Sequence, residues 1–192
     1  MRDFGLASDV FIQASVIDER GDLAAANVPF QSVRLADRAH FRAHLGNGEV
    51  GLFAGEPILG RLSGRWSIPL SRRINKPDGA FGGVVGILIN PHYFVEFYER
   101  LNLGRDGVVS LVGLDQIVRA GSKKGRPASR ATITNPALWP ALDGTSEGTF
   151  VARDDSDGVR RLYSCRRLKD FPLVVLIGTA EREKRISRQY EP

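Results

Sequence analysis

Apolar and polar positions along the chain fall mostly into short runs with the two-residue period of strands. VFIQASVID, from Val10 to Asp18, is rich in β-branched residues and predicts a first strand. A turn at Glu19-Arg20-Gly21-Asp22 leads into LAAANV, so the opening is a hairpin. DRAHFRAHL then changes to a helical period, with Asp37 near its start where a carboxylate suits the free amides, and Gly46-Asn47-Gly48 ends it. GLFAGEPILG and RWSIPLSRRI follow as further extended runs. Pro69 inside the second implies an edge or a bulge. Lys76-Pro77-Asp78-Gly79 is a turn, and GGVVGILIN is a nearly continuous apolar strand suited to the middle of a sheet. Asn90-Pro91 opens the helix PHYFVEFYERL, whose expected apolar face is Phe94, Phe97, Tyr98 and Leu101.

After a glycine-bearing break at Gly104–Gly107 the rhythm starts again. GVVSLVG and QIVRAG repeat the opening hairpin in miniature. Pro127 to Thr134 reads as a loop, NPALWPAL as a short helix, and EGTFVAR, GVRRLYSCRRL and PLVVLIGTAE as antiparallel strands. The closing AEREKRISRQY is polar and favours helix. Hairpin, helix and three antiparallel strands, twice over, predict an α+β fold of two stacked lobes, 1–103 and 104–192.

Composition narrows the function without fixing it. The chain has 192 residues, 42% hydrophobic and 26% charged, with 10 prolines and 21 glycines, as expected for a turn-rich globular protein. No apolar run approaches the roughly 20 residues that span a bilayer, and no secretory signal follows Met1-Arg2-Asp3. Any anchoring or export segment is therefore expected outside these residues. The net charge is +5, but the cations are scattered in small groups, Lys123, Lys124 and Arg126 in one and Arg160, Arg161, Arg166 and Arg167 in another. They read as a solvated surface rather than a nucleic-acid footprint. Cys165 is the single cysteine, which excludes an intrachain disulfide and a cysteine-based zinc site. Asp37, His40 and His44 share a helix face but lack a clear fourth ligand, so neither a metal nor a cofactor is expected. No nucleophile elbow, phosphate-binding glycine loop or HExxH motif supports catalysis.

The chemistry stands out in one strand. Arg65, Trp66, Ser67, Ser71 and Arg72 mix cations, an indole and hydroxyls, a set better suited to lining a pocket for a small polar ligand than to building a core. A carboxylate is a natural partner for a buried guanidinium because it accepts two parallel hydrogen bonds. The bland alternative is that each arginine reaches solvent or pairs with Asp78 or Glu56. Trp66 is equally readable as ligand wall or core lid. Trp139 and Tyr163 are expected in the core of the second lobe.

DRAHFRAH at Asp37–His44, SGRWSIPLSRRI at Ser63–Ile74, GAFGGVVGILINPHYFVEFY at Gly79–Tyr98 and GRDGVVSLVGLDQIVRAG at Gly104–Gly121 together resemble the double Cache, or PDC, sensor domains. These are PAS-like extracytoplasmic modules of bacterial receptor histidine kinases, diguanylate cyclases and chemoreceptors. The resemblance implies a membrane-distal lobe that binds a small polar, anionic molecule and a membrane-proximal lobe with a C-terminal helix leading towards the membrane. It implies a periplasmic location, no catalysis and no nucleic-acid partner. It also places the Asp37–His44 helix over the pocket, which adds Phe41, His44 and Asp37 to Arg65, Arg72, Trp66, Ser67 and Ser71 as candidate contacts. Asn90 stands where amino-acid-binding members often carry an aspartate for the ligand amine. The long helix that usually precedes the first strand is expected to be mostly missing, since only nine residues come before Val10. Weak homodimerisation is the expected consequence. The reading from another class is a dimerisation or protein-interaction module with a vestigial pocket.

Overall fold

A computed structural model of the chain describes residues 9–46, 50–101, 103–123, 126–128, 130–133 and 137–181. It divides into two compact units, Met1–Tyr93 and Phe94–Pro192, each built on an antiparallel sheet of six strands. The closing AEREKRISRQY, expected to be helical, lies mostly outside the described residues.

In the first unit β1 (Phe11–Asp18) and β2 (Leu23–Ala26) form the expected hairpin. The Asp18 carboxylate accepts the amides of Arg20 and Asp22, each at 2.9 Å, and Gly21 takes φ 85°, a conformation that glycine adopts without steric cost. The chain then returns through Leu35 into α1 (Ala39–Arg42), only four residues long and shorter than the helical period predicts. Asp37 is not its cap. The N-cap position is Arg38, with no side-chain cap bond, and Asp37 pairs with Arg61 instead. β3 (Phe53–Ala54), β4 (Ile58–Leu59), β5 (Trp66–Asn75) and β6 (Phe81–Ile89) complete a sheet ordered β2-β1-β6-β5-β3, with β4 also on β5.

The register settles which side chains share a face. Ser15, Gly86 and Ser71 lie in one row across β1, β6 and β5, and Ile17, Val84 and Arg73 in the next. Pairing runs unbroken from Ile68 to Ile74, so the irregularity falls at Ile74/Asn75 and not at Pro69. Pro69 is accommodated because its carbonyl accepts Gly55 N on the outer side of β5, so its missing N–H also points outward, where β3 has already ended. Ser71 and Arg73 thus face α1, over a core of Ile17, Leu23, Leu35, Phe41 and Val84, while Arg72 points to the opposite face beside Val85.

Asn90 ends this sheet and opens α2 (Pro91–Glu99), accepting His92 N at 3.1 Å and donating to the Asp9 carbonyl at 3.1 Å. The buried stripe of α2 is Val95 and Tyr98, whereas Phe97 is 54% exposed, so the apolar face is rotated from the expected one.

The second unit carries β7 (Val108–Gly113), β8 (Val118–Lys123), β9 (Arg126–Ala128), a 3₁₀ turn at Pro140–Leu142, β10 (Glu147–Arg153), β11 (Arg160–Arg167) and β12 (Leu173–Ala180). Its order is β10-β11-β12-β7-β8-β9. The expected loop from Pro127 instead contains part of β9 and a bridge from Thr132 to Ile117. The expected helix at NPALWPAL is reduced to the 3₁₀ turn. Val112, Val118, Leu138, Leu142, Tyr163, Cys165 and Val174 form the core, with Phe150 stacked on Tyr163 at 5.1 Å. With two short helices against twelve strands among the described residues, the architecture is mostly sheet.

Candidate functional site

On the α1 side of the first sheet, three polar side chains tie the helix down. Ser71 Oγ donates to the His40 carbonyl at 2.8 Å and lies 2.9 Å from His44 Nε2. The serine proton is spent on His40, so His44 Nε2 must be the donor, which fixes the neutral tautomer and leaves Nδ1 bare. That Nδ1 is buried without a partner among the described residues. Arg73 donates to the His44 carbonyl at 2.6 Å and the Gly46 carbonyl at 3.1 Å, and lies 4.8 Å from the centre of the Phe81 ring. It completes the last turn of α1 as a cationic cap. Burial pushes the His40 imidazole down to about 4 and lowers His44 as well.

Beside this cluster lies a small, partly open pocket of about 20 Å³ lined by Gln13, Ser15, Arg38, His40, Arg61 and Leu88, room for about one water. Gln13 is 4% exposed, and neither its Oε1 nor the buried Nε of Arg38 has a partner among the described residues. Arg38 reaches the Leu59 carbonyl at 2.6 Å through another nitrogen. Arg61 forms a two-pronged pair with Asp37 at 3.1 and 2.8 Å and also donates to the Arg34 carbonyl. That pair holds the Asp37 carboxyl below the usual carboxylate range.

The structure gathers only part of the expected set. Ser71, His44 and Phe41 meet on the α1 side, all three buried. Ser67 is also buried but turns its hydroxyl to the Arg65 carbonyl at 3.0 Å. Asp37 sits at the exposed rim on Arg61. Arg65 and Arg72 are both exposed, and Arg72 is on the far face. Trp66 is half-exposed, so it is no core lid. The Asn90 side chain is engaged at the start of α2. Gln13, Arg38 and Arg61 were not singled out from the sequence. Only Gln13 left a signal, as a long polar side chain at the same strand parity as the core residue Ile17.

The second unit holds a buried charge network that the sequence hides within scattered basic residues. Arg161 is wholly buried, donating to Asp157 at 3.0 and 2.7 Å, to Asp154 at 3.3 Å and to the Asp106 carbonyl at 2.7 Å. Lys123 binds Asp154 at 2.8 Å, Asp157 at 3.4 Å and the Ser156 hydroxyl. Two cations thus balance two carboxylates. The Arg161 guanidinium holds Asp157 well below the usual carboxylate range. For Asp154 the Lys123 and Ser156 bonds outweigh burial, and its carboxyl is lowered too. A cavity of about 210 Å³ opens beside this network.

Two antiparallel sheets, a small polar cavity under α1 and no described helix long and apolar enough to cross a membrane define the features to be matched with known proteins. The family described as histidine kinase sensor domain, dCache_1-like, matches residues 91–178. The extracellular domain of rpHK1S-Z16, described as a histidine kinase, is 31% identical, with 89% of this chain and 71% of that one covered and a TM-score of 0.78. The chain belongs to this family of histidine kinase sensor domains, a sensing rather than a catalytic class. The fold recurs in the periplasmic sensory domain of the Campylobacter jejuni chemoreceptor Tlp1, at 13% identity, 93% and 75% coverage and TM-score 0.64. It recurs too in the ligand-binding domain of the Pseudomonas aeruginosa PAO1 amino acid chemoreceptor PctB in complex with L-Arg, at 16% identity, 91% and 73% coverage and TM-score 0.62. No curated protein matches the chain.

Proposed function

We propose that this chain is the extracytoplasmic sensing region of a membrane-anchored bacterial receptor of the histidine kinase or diguanylate cyclase type, and that the α1 side of its first unit binds a small polar molecule. In this reading the chain is a double Cache region, with residues 1–103 as the membrane-distal lobe and 104–192 as the membrane-proximal one. The observation that carries the site is the pair of buried polar atoms, Gln13 Oε1 and Arg38 Nε, that have no partner among the described residues and belong to the lining of one cavity. Buried polar groups without partners are costly, and a ligand that satisfies them favours the state that holds it.

The cavity is too small for a metabolite in its present shape, so binding requires α1 and the Arg61 loop to move outward. Arg38 and Arg61 then supply the cationic side for a carboxylate, the role expected of Arg65 and Arg72. PctB in complex with L-Arg and its amino acid chemoreceptor name support an amino acid or related carboxylate as the first class to try. Because the ligand shifts the equilibrium only by its differential affinity, the outward movement is itself the signal.

A thermal-shift screen of carboxylates, amino acids and amines tests this. A ligand at a hundredfold excess over its Kd adds about 2.7 kcal/mol to folded stability. Gln13→Ala and Arg38→Ala should abolish the shift, whereas Arg65→Lys and Arg72→Lys should retain it. No hit, or hits unaffected by the first two variants, would overturn the site. The small size of the cavity also supports the second reading, an interaction module with a vestigial pocket. Concentration-dependent dimerisation in sedimentation, with no hit in the screen, is its signature.

A further inference from the structure

The cavity beside the Lys123–Asp154 network in the second unit is larger than the one under α1, and its chemistry differs. Its walls are the side chains of Val108, Val118, Phe150 and Leu176. The buried charges at its end are already satisfied, and Arg153 and Asp155, which also line it, are exposed. The Lys123 ammonium is held by Asp154, Asp157 and Ser156, and the Asp154 carboxylate also takes Arg161 and the Ser156 amide. A charged ligand would have to break this balanced network. A neutral one would not.

One buried polar residue of the lining is left over. Ser110 lines the cavity, is 8% exposed, and makes no hydrogen bond among the described residues. It is the single polar residue of β7, every residue of which is buried, and it lies opposite Gly121 on β8 and Leu176 on β12. A serine hydroxyl on the core face of such a strand, beside the cavity and without a bond among the described residues, lacks the partner that buried polar groups ordinarily have.

We infer that this cavity is a second ligand site, which takes a small neutral molecule, mostly apolar and carrying one hydrogen-bonding group for Ser110. The volume of about 210 Å³ suits a single substituted ring or a branched aliphatic chain. The apolar walls supply the burial, and the one hydroxyl supplies orientation. The site is independent of the first-unit reading, since its residues all belong to the second unit.

Methyl NMR on the 192-residue chain tests it, with benzyl alcohol and toluene as probes. Both should perturb the methyl signals of Val108, Val118 and Leu176 at about millimolar concentration, with benzyl alcohol binding more tightly. Ser110→Val should remove that preference, weakening benzyl alcohol about tenfold while leaving toluene unchanged. Thr132→Phe, on the exposed rim, should block both probes. The first-unit variant Arg38→Ala should change none of these results, which separates this site from the one proposed above. Absence of perturbation by either probe, or binding unaffected by Thr132→Phe, overturns the site. A benzyl alcohol preference that survives Ser110→Val overturns the assigned ligand class.

Discussion

Acid should destabilise the first unit well before its carboxylates titrate. The perturbation is a change from pH 7 to pH 5. His40 has its folded pKa lowered from 6.5 to about 4 by burial, so the unfolded chain takes up the proton first and stability falls as pH drops below 6.5. At pH 5 the imidazole is nearly fully protonated when unfolded and about one-tenth protonated when folded. The free-energy difference is about 2 kcal/mol relative to pH 7, reaching about 3 kcal/mol by pH 4. His44 is lowered in the same direction, because burial disfavours its charge and its Nδ1 has no acceptor to receive a proton, so it adds to the loss. Asp154 and Asp157 are held below their ordinary 3.8 and contribute little in this window. Urea denaturation at pH 7, 6 and 5 reads the effect, and His40→Gln should remove the larger part of it. A wild-type stability that changes by less than about 0.5 kcal/mol between pH 7 and 5 would refute the burial argument.

Arg161→Met should cost about 3–5 kcal/mol, because it removes the buried guanidinium that pairs with both Asp157 and Asp154; a loss below about 1 kcal/mol in urea titration would contradict the buried network. Gly83→Ala should destabilise by more than about 1 kcal/mol, since Gly83 holds φ 125° and an added Cβ would collide with the Ile17 carbonyl; an unchanged thermal midpoint would count against it. Tyr98 and Tyr163 are raised to about 12 by burial, so stability should persist to pH 10 and be lost as pH rises towards 12, with the share of phenolate absorbance due to these two appearing only as the protein unfolds. Asp37→Asn should leave the thermal midpoint nearly unchanged, because its pair with Arg61 is on the surface.

Strand positions were legible because period-two patterning and turn residues act locally. VFIQASVID, RWSIPLSRRI and GGVVGILIN each became a strand close to its expected bounds. Helices were less legible. DRAHFRAHL carries a helical period, yet only four residues coil, because the turn is held by Ser71 and Arg73 from a distant strand and not by its own propensity. Ser71 was a candidate from its polar strand and His44 from helix spacing and the family likeness, and the structure brings the two side chains together. Arg65 and Arg72 were singled out for being cationic in a polar-looking strand. Their odd spacing leaves them on no shared face, and composition alone does not reveal that. Arg161 escaped notice because neither its burial nor its distance from Lys123 can be read from a run of arginines.

The hold of β5 on α1 also orders the assembly of the molecule. A single helical turn does not persist alone in water. Its anchors, Ser71 to His40 and Arg73 to His44, join residues 31 and 29 positions apart, so they form only once the neighbouring strand is in place. The turn should therefore be among the last parts to fold and the first to open. Its amides should exchange with solvent through a local opening that leaves β6 protected. The part of the unit that closes over the polar cavity would then be the part with the smallest barrier to leaving it.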